Sequence, residues 1–461
     1  MRLLDTYRVH TGPLLPLLGK ELAEIISGRA LWTMLLLVCP LVGYSFFQAV
    51  SLYSEASAAA SPAATASLSP LDGVLVPTFG SFYVAVTLLF PFVAIRVLGQ
   101  EKESGALRLL VQLPYSVSTL ILAKLVAVLA AWILVSIPAL SVLAIWLSLG
   151  GHLAATETLN LLLGHLLYGL LIGAIAVFAA TISESSATAA IVALAATIGS
   201  WVLDFTLAGR SGLGAWLAQL SLTQTLRTFE QGLFSTGLVL GIVAAVCAFA
   251  ALSSVWLPPG VSTPVKLVRS LPWVIAAVVA LAALTELRIS VDVTEDRRNS
   301  FPPEDQKLLA TLRLPLVVTV NLAPEDPRYI DLQRNVLGKL ERAMPDASIV
   351  VADNRQDLAG KSDAYGEIEY VYGSRSDTSR STSPEEILPL LYALAGTQPP
   401  RPAQVTDYPG YPLVADPNTA LIWFFGGLPT LIALAWWRSR QPPRPAAPVH
   451  EGDCHEHQHE R

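Results

Sequence analysis

The residues best suited to chemistry lie near the end of the chain. His450-Glu-Gly-Asp-Cys454-His455-Glu-His457-Gln-His459 alternates imidazoles and places a thiol among them. Such donors suit zinc, nickel or copper. Cys454, His455, His457 and His459 are the candidate ligands, in a stretch that equally fits a hydrophilic tail with incidental metal affinity. Asp353, Asp357 and Asp363 make a second cluster, but their spacing does not match an EF-hand loop and reads as a solvated acidic turn. No Gly-x-Ser-x-Gly elbow and no Gly-x-x-x-x-Gly-Lys-[Ser/Thr] phosphate loop occurs. The chain does not read as an enzyme, and no catalytic residue is assigned.

The elements behind these residues are mostly apolar. Of 461 residues, 53% are hydrophobic and 14% charged, against about 25% charged in soluble domains. Mean hydropathy is +0.52. A net charge of -6 argues against a nucleic-acid partner. Cys39, Cys247 and Cys454 are too few for a disulfide scaffold; Cys39 and Cys247 read as small core residues. Eight segments are long and apolar enough to cross a bilayer: Ala30–Val50, Pro77–Leu98, Leu120–Leu149, Leu159–Ile182, Ala187–Leu207, Gly232–Leu257, Leu271–Leu287 and Thr419–Trp437. Pro138 predicts a kink in the third.

Basic residues orient the spans. Alternate segments hold Arg2, Arg8, Lys20 and Arg29; Arg96, Lys102, Arg108 and Lys124; Lys266 and Arg269; Arg438, Arg440, Arg444 and Arg461. The short loops on the other side hold only Arg210 and Arg227. Both termini are therefore expected in the cytosol. The implied organisation is a cytosolic 1–29, a six-span core 30–257, a cytosolic linker and seventh span 258–289, an extracytoplasmic domain 290–418, an eighth span 419–437 and a cytosolic tail 438–461. In the outer domain, 314–322, 347–352 and 366–373 read as strands, and 328–344 and 383–395 as helices. A strand–helix–strand unit predicts a parallel pair in a small α/β domain. Within the spans, Gly169-x-x-x-Gly173 allows close packing, His165 and Asp204 are polar, and the stretch Phe79–Val93 of span two carries only Ser81, Tyr83 and Thr87.

One inner segment is denser in charge than the rest. Between spans two and three runs Glu101-Lys102-Glu103-Ser104-Gly105-Ala-Leu107-Arg108-Leu-Leu110-Val-Gln-Leu-Pro114-Tyr-Ser116, with Lys124 beyond. Leu107, Leu110 and Val111 fall on one face of a short helix that Pro114 ends. This string resembles the inner loop of type-2 ABC transporter permeases, most closely the NosY/GldF-like branch tied to multicopper-enzyme maturation, sodium efflux and gliding motility. The stretch Gly19–Arg29 also fits that family. Its apolar Leu14, Leu18, Leu22 and Ile25 lie opposite Lys20, Glu21 and Glu24, as in an interfacial elbow helix. The motif Asp292-Val-Thr294-Glu-Asp-Arg297-Arg-Asn-Ser300, with Tyr365–Arg375 and Ser379–Thr382, is similar to the opening of GldG-type auxiliary domains.

The resemblance implies an α-helical polytopic membrane protein, a permease core carrying a short α/β extracytoplasmic domain, in a bacterial plasma (inner) membrane. It implies a separate ABC ATPase holding ATP and magnesium, and a second permease copy in a homodimer or heterodimer. Glu101, Lys102, Glu103, Gly105, Leu107, Arg108, Leu110 and Pro114 would form the ATPase-coupling loop, with Glu101 and Glu103 pairing with basic residues of the partner. Short re-entrant helices would lie near Arg210, Trp216, Arg227 and Glu230. Export is the expected direction. The alternative is a mechanical or assembly complex acting on an extracytoplasmic partner protein, and the few polar residues of span two suit that reading or a lipid-like cargo.

Overall fold

A computed structural model describes residues 14–440 except 66, 113–114, 208–220, 286, 288, 324–325, 345, 352–364 and 401–407. The metal-ligand candidates of the tail, the three aspartates, Arg210, Trp216 and Pro114 all lie outside the described residues.

Helix α1 (Leu14–Ser27) precedes seven long apolar helices and one shorter apolar helix. These are α2 (Arg29–Ala59), α3 (Leu71–Glu103), α5 (Val117–Ser148), α6 (Ala155–Ile182), α7 (Ser186–Leu207), α9 (Thr236–Trp256), α10 (Thr263–Thr285) and α14 (Asn418–Ser439). Between them lie the short helices α4 (Ala106–Leu110) and α8 (Leu222–Glu230). The core is built from α2, α3, α5 and α6, whose inward faces share one cluster including Phe46, Phe82, Phe90, Val128 and Ile172. Helix α9 is mostly half-buried and α10 mostly exposed, with Leu267, Val268 and Val279 of α10 uncovered. Such a face suits lipid.

Local chemistry explains the main bends and approaches. Helix α5 breaks at Ser136, where Pro138 begins the second half and Ser136 Oγ donates to the Trp132 carbonyl at 2.9 Å. Gly169 and Gly173 let α6 meet α5: a Cβ on Gly169 would lie 1.8 Å from Trp132 Nε1, and one on Gly173 2.6 Å from Val128 Cγ1.

Several spans run past the hydropathy reading, α2 on to Ala59 and α3 from Leu71, and two shifted boundaries have a clear local cause. The sixth span starts at Thr236, not Gly232, because β1 (Leu233–Ser235) pairs antiparallel with β2 (Ser290–Asp292). Backbone pairing there outweighs the apolar character of Leu233 and Phe234. The seventh begins at Thr263 rather than Leu271, so Lys266 and Arg269 sit on its first turns instead of in a linker. Lys266 donates to the Trp256 carbonyl at 2.7 Å, which closes the hairpin.

The segment between α10 and α14 folds as a two-layer α/β unit. Helix α11 (Pro303–Thr311) leads into a sheet ordered β4-β3-β5-β6, where β3 is Leu316–Val320, β4 Ser348–Val351, β5 Ile368–Tyr372 and β6 Arg375–Ser379. The β3–β4 pair is parallel, as expected across the helical segment 327–343 (α12). Leu316, Val318, Val320, Ile368 and Tyr370 bury one sheet face with Val336 and Leu340 of α12 and Leu391 of α13 (Pro384–Ala395). Strand β6 is not legible from apolar alternation, because Arg-Ser-Asp-Thr-Ser is polar throughout and sits at the sheet edge.

The 292–300 segment seats this domain on the spans. Arg298 pairs with Asp72, in the first turn of α3, and donates to Ser69 Oγ at 2.6 Å. The Glu295 amide donates to Glu157 at the start of α6. Tyr411 donates to Glu295 at 2.6 Å while its ring stacks on His152 at 3.6 Å.

Replacing Gly169 by Ala forces Trp132 to shift and is expected to cost about 1–3 kcal/mol. The matched control is Gly80→Ala, whose Cβ meets nothing within 4 Å. Thermal unfolding of the two variants in detergent checks this; equal midpoints would show that the α5–α6 approach is loose.

Candidate functional site

Lys124 interrupts the apolar run of α5 and is 1% exposed. A lone ammonium there would cost several kcal/mol in desolvation, on the order expected for a buried ion. Its Nζ instead lies 3.0 Å from Glu21 of α1 and 2.6 Å from Glu101 of α3, and donates to the Val97 carbonyl at 2.7 Å. Lys20 pairs with Glu101 from the other side and lies 3.5 Å from Glu24. Gln100, with its amide oriented to suit both neighbours, accepts from Arg96 at 2.6 Å and donates to Glu24 at 3.0 Å. Three carboxylates thus face Lys20, Lys124 and Arg96. Burial pulls the Lys20 pKa down, but the hydrogen bond to Glu101 and the charges of Glu21, Glu101 and Glu24 leave it raised.

This geometry revises two sequence expectations. Glu21 is 3% exposed and faces inward, so the polar side of α1 is not a solvated face. Glu101 is also 3% exposed, and its partners are in the same chain. It is not placed to meet a basic residue of another subunit. Glu21, Glu24 and Glu101 bring carboxylate oxygens within 4.8 Å of one another. However, Lys20 and Lys124 already pair with all three carboxylates, so the cluster fits ion pairing rather than a metal.

The next two residues are also anchors. Lys102 donates to the carbonyls of Ala180, Thr181 and Ser183 at 2.7, 2.6 and 3.0 Å. It caps the C-terminal end of α6, where orphan carbonyls and the helix dipole favour a cation. Glu103 accepts from the Ser186 amide at 3.3 Å and from Ser186 Oγ at 2.6 Å, which caps the N-terminal end of α7. Successive helical residues point about 100° apart. Three consecutive charges therefore tie the end of α3 in three directions: to α1 and α5, to α6, and to α7.

The loop hangs from this anchored end. Gly105 takes φ 77°, the left-handed conformation that stops a helix and suits glycine. In α4, Leu107 turns inward at 8% exposure, Leu110 and Val111 are half-buried, and Val111 packs on the main core. The expected apolar face thus packs onto the chain's own spans. Arg108 and Leu109 point away, and Leu109 is 69% exposed. Apolar spacing does not single out Leu109, because it lies off the Leu107–Leu110 face and stands in the apolar run Leu109-Leu110-Val111, where nothing in the sequence marks it. Ser116 caps α5 by accepting from the Thr119 amide at 3.1 Å.

Deeper in the membrane, the polar residues of α3 are sealed. Thr87 Oγ1 meets the Tyr168 hydroxyl at 2.7 Å, Tyr83 meets Thr223 of α8 at 3.2 Å, and Ser81 donates to the Thr78 carbonyl at 2.7 Å. His165 is buried against Phe79, with Nε2 3.4 Å from Glu230. The helix α8 occupies part of the loop expected to hold short helices.

Lys124→Met would strand Glu21 and Glu101 and is expected to destabilise the chain by about 3–5 kcal/mol. Adding Glu21→Gln and Glu101→Gln should restore much of that loss, since the three residues act as one network. Unfolding midpoints of the single, double and triple variants measure the coupling; additive losses would show independent charges.

A family model described as ABC-2 family transporter protein matches residues 15–282. No curated protein matches the chain at a significant level. The matched region runs from the elbow helix α1 through the hairpin of α9 and α10, and so takes in the whole charge-anchored loop. A model covering more than half of a chain with seven membrane-length helices shows the family: this protein belongs to the ABC-2 transporters, as a multi-pass permease subunit.

Proposed function

We propose that the chain is the permease of an ATP-driven exporter whose energy comes from a separate ATPase docking on residues 104–112. Family membership implies such an ATPase and a second permease copy. The observation that carries the reading is the anchoring of Glu101, Lys102 and Glu103. A push on the loop reaches α1, α5, α6 and α7 through ion pairs and caps rather than through a slack linker. Arg108 and Leu109 supply the outward contacts, a charge beside an apolar knob that suits a groove on the partner. Rigid-body rocking of the spans would follow ATP-driven closure of the partner.

In this reading the basic inner segments place both termini in the cytosol and 290–418 outside. The chain would be a NosY/GldF-like permease fused to a short GldG-like domain, in a bacterial inner membrane. Glu21 and Glu24 of the elbow, with Lys20, would brace the loop rather than touch the partner. The tail residues Cys454, His455, His457 and His459 would bind zinc, nickel or copper as a cytosolic buffer or delivery arm.

A second reading is favoured by the outer seat. Arg298–Asp72 and Glu295–Glu157 tie the outer domain to the ends of α3 and α6, the same helices that the inner loop drives. The described polar residues of α3 are sealed against α6 and α8. Both facts support transmission of shape to an extracytoplasmic partner, or a lipid-like cargo.

Arg108→Glu with Leu109→Asp should weaken ATPase co-elution by about tenfold or more, the scale of two lost interface anchors. Co-purification with the ATPase, and ATP turnover of the complex, measure it. The outward positions Ile191 and Val192 on α7 serve as controls. Unchanged co-elution would remove the loop from the coupling role.

A further inference from the structure

A cavity of about 270 Å³ opens where the outer domain meets the β1–β2 ribbon. Its lining includes Arg297, Lys339 and Arg342, with Asn299, Ser300 and Gln306 as neutral polar neighbours. Among the described residues none of the three cations is in a salt bridge.

One acid, Asp292, also lines the cavity and attracts Lys339 and Arg342, but its oxygens are taken up by neutral donors. Asp292 accepts from the Thr294 amide at 3.1 Å, from Thr294 Oγ1 at 2.6 Å, from the Asn299 amide at 3.0 Å and from Ser300 Oγ at 2.9 Å. Asp296 pairs with Arg298 at 2.9 Å. Arg342 donates to the Asn299 carbonyl at 2.5 Å, but its buried Nε has no hydrogen-bond partner. Lys339 lies over the ring of Phe301 at 5.9 Å and feels the charges of Asp292 and Asp296, but no carboxylate is in ion-pair contact with it among the described residues. Burial and the neighbouring Arg342 hold the Lys339 pKa below its usual value, against the pull of Asp292 and Asp296.

Backbone strain points the same way. Arg297, at φ 51°, is the only non-glycine with positive φ among the described residues. Holding a long cation in that conformation is strained, and such strain gathers at ligand sites. Beside the cavity, Ile289 and Val291 are exposed apolar residues at the outer ends of the spans.

We propose that this cavity binds a phosphate-type oxyanion, held by Arg297, Lys339 and Arg342. Three convergent cations match a tetrahedral group of more than one negative charge. The volume admits a headgroup or a free phosphate, not an acyl chain. Its place next to the apolar ends of the spans makes the headgroup of an anionic phospholipid one source, and soluble phosphate the other.

The test uses the full chain in nanodiscs. One arm titrates inorganic phosphate calorimetrically in phosphatidylcholine discs. The other counts phosphatidylglycerol retained by the chain, by native mass spectrometry, from mixed phosphatidylcholine–phosphatidylglycerol discs. Arg297→Gly and Lys339→Gln should each weaken the binding that is observed by about tenfold. Arg297→Gly removes the strain with the charge, so its unfolding midpoint should hold or rise while binding falls. Phosphate heat lost in both variants supports a soluble oxyanion, and selective lipid retention lost in both supports a headgroup. No binding in either arm, or binding that both variants retain, overturns the proposal.

Discussion

The inner half of this permease depends on one buried ion pair, Lys124 with Glu101. Lys124 could not stay charged in an apolar helix without a carboxylate, and Glu101 could not be 3% exposed without a cation. Each brings a second partner, Glu21 and Lys20, both from α1. The pair therefore decides where the elbow helix lies, how closely α3 and α5 approach, and from which platform the loop leaves the membrane. Such pairs add little net stability compared with apolar packing, but they discriminate strongly between registers. A one-residue slip of α3 would carry Glu101 out of reach of both lysines.

Lys102 and Glu103 extend that discrimination outward. Each satisfies backbone groups at a helix end that has no intrahelical partner. In an inner loop of this length a solvated Glu-Lys-Glu would be unremarkable in composition; its meaning lies in the three directions a helix gives to consecutive residues. On the outer side, the 292–300 segment plays a similar part through Arg298, Glu295 and the Asp292 turn. The two sets of ties engage the opposite ends of α3 and α6. Motion at one face is thereby connected to the other by rigid elements.

Much of the fold is legible in the sequence, because spans are written in runs of apolar residues and the outer domain in clean periodicities. The parallel β3–β4 pair and the Pro138 break follow from local rules. The boundaries at Thr236 and Thr263 do not, since strand pairing and a lysine-capped hairpin override hydropathy there. The loop's place and its family resemblance are readable from Glu101–Ser116. Its polarity is not: a helical wheel shows Leu107 and Leu110 as a sticky face but cannot say that this chain's own core covers it. Likewise, Glu21 and Glu101 look like surface charges until the single Lys124, about two turns inside α5, is placed between them. The cation cavity is invisible in sequence because Arg297, Lys339 and Arg342 come from a turn and a helix that the fold alone brings together.

The central claim is that the end of α3 transmits force from the loop to the spans. Spin labels at Leu52→Cys in α2 and Leu159→Cys in α6, both exposed positions, report the outer separation of those helices. The distance would be measured in the complex with the ATPase, with and without ATP, in a chain whose native cysteines are replaced by serine. The account expects an ATP-dependent change that disappears in Lys102→Gln/Glu103→Ala while the ATPase still binds and turns over. An ATP-dependent change that persists unaltered in that variant would contradict it.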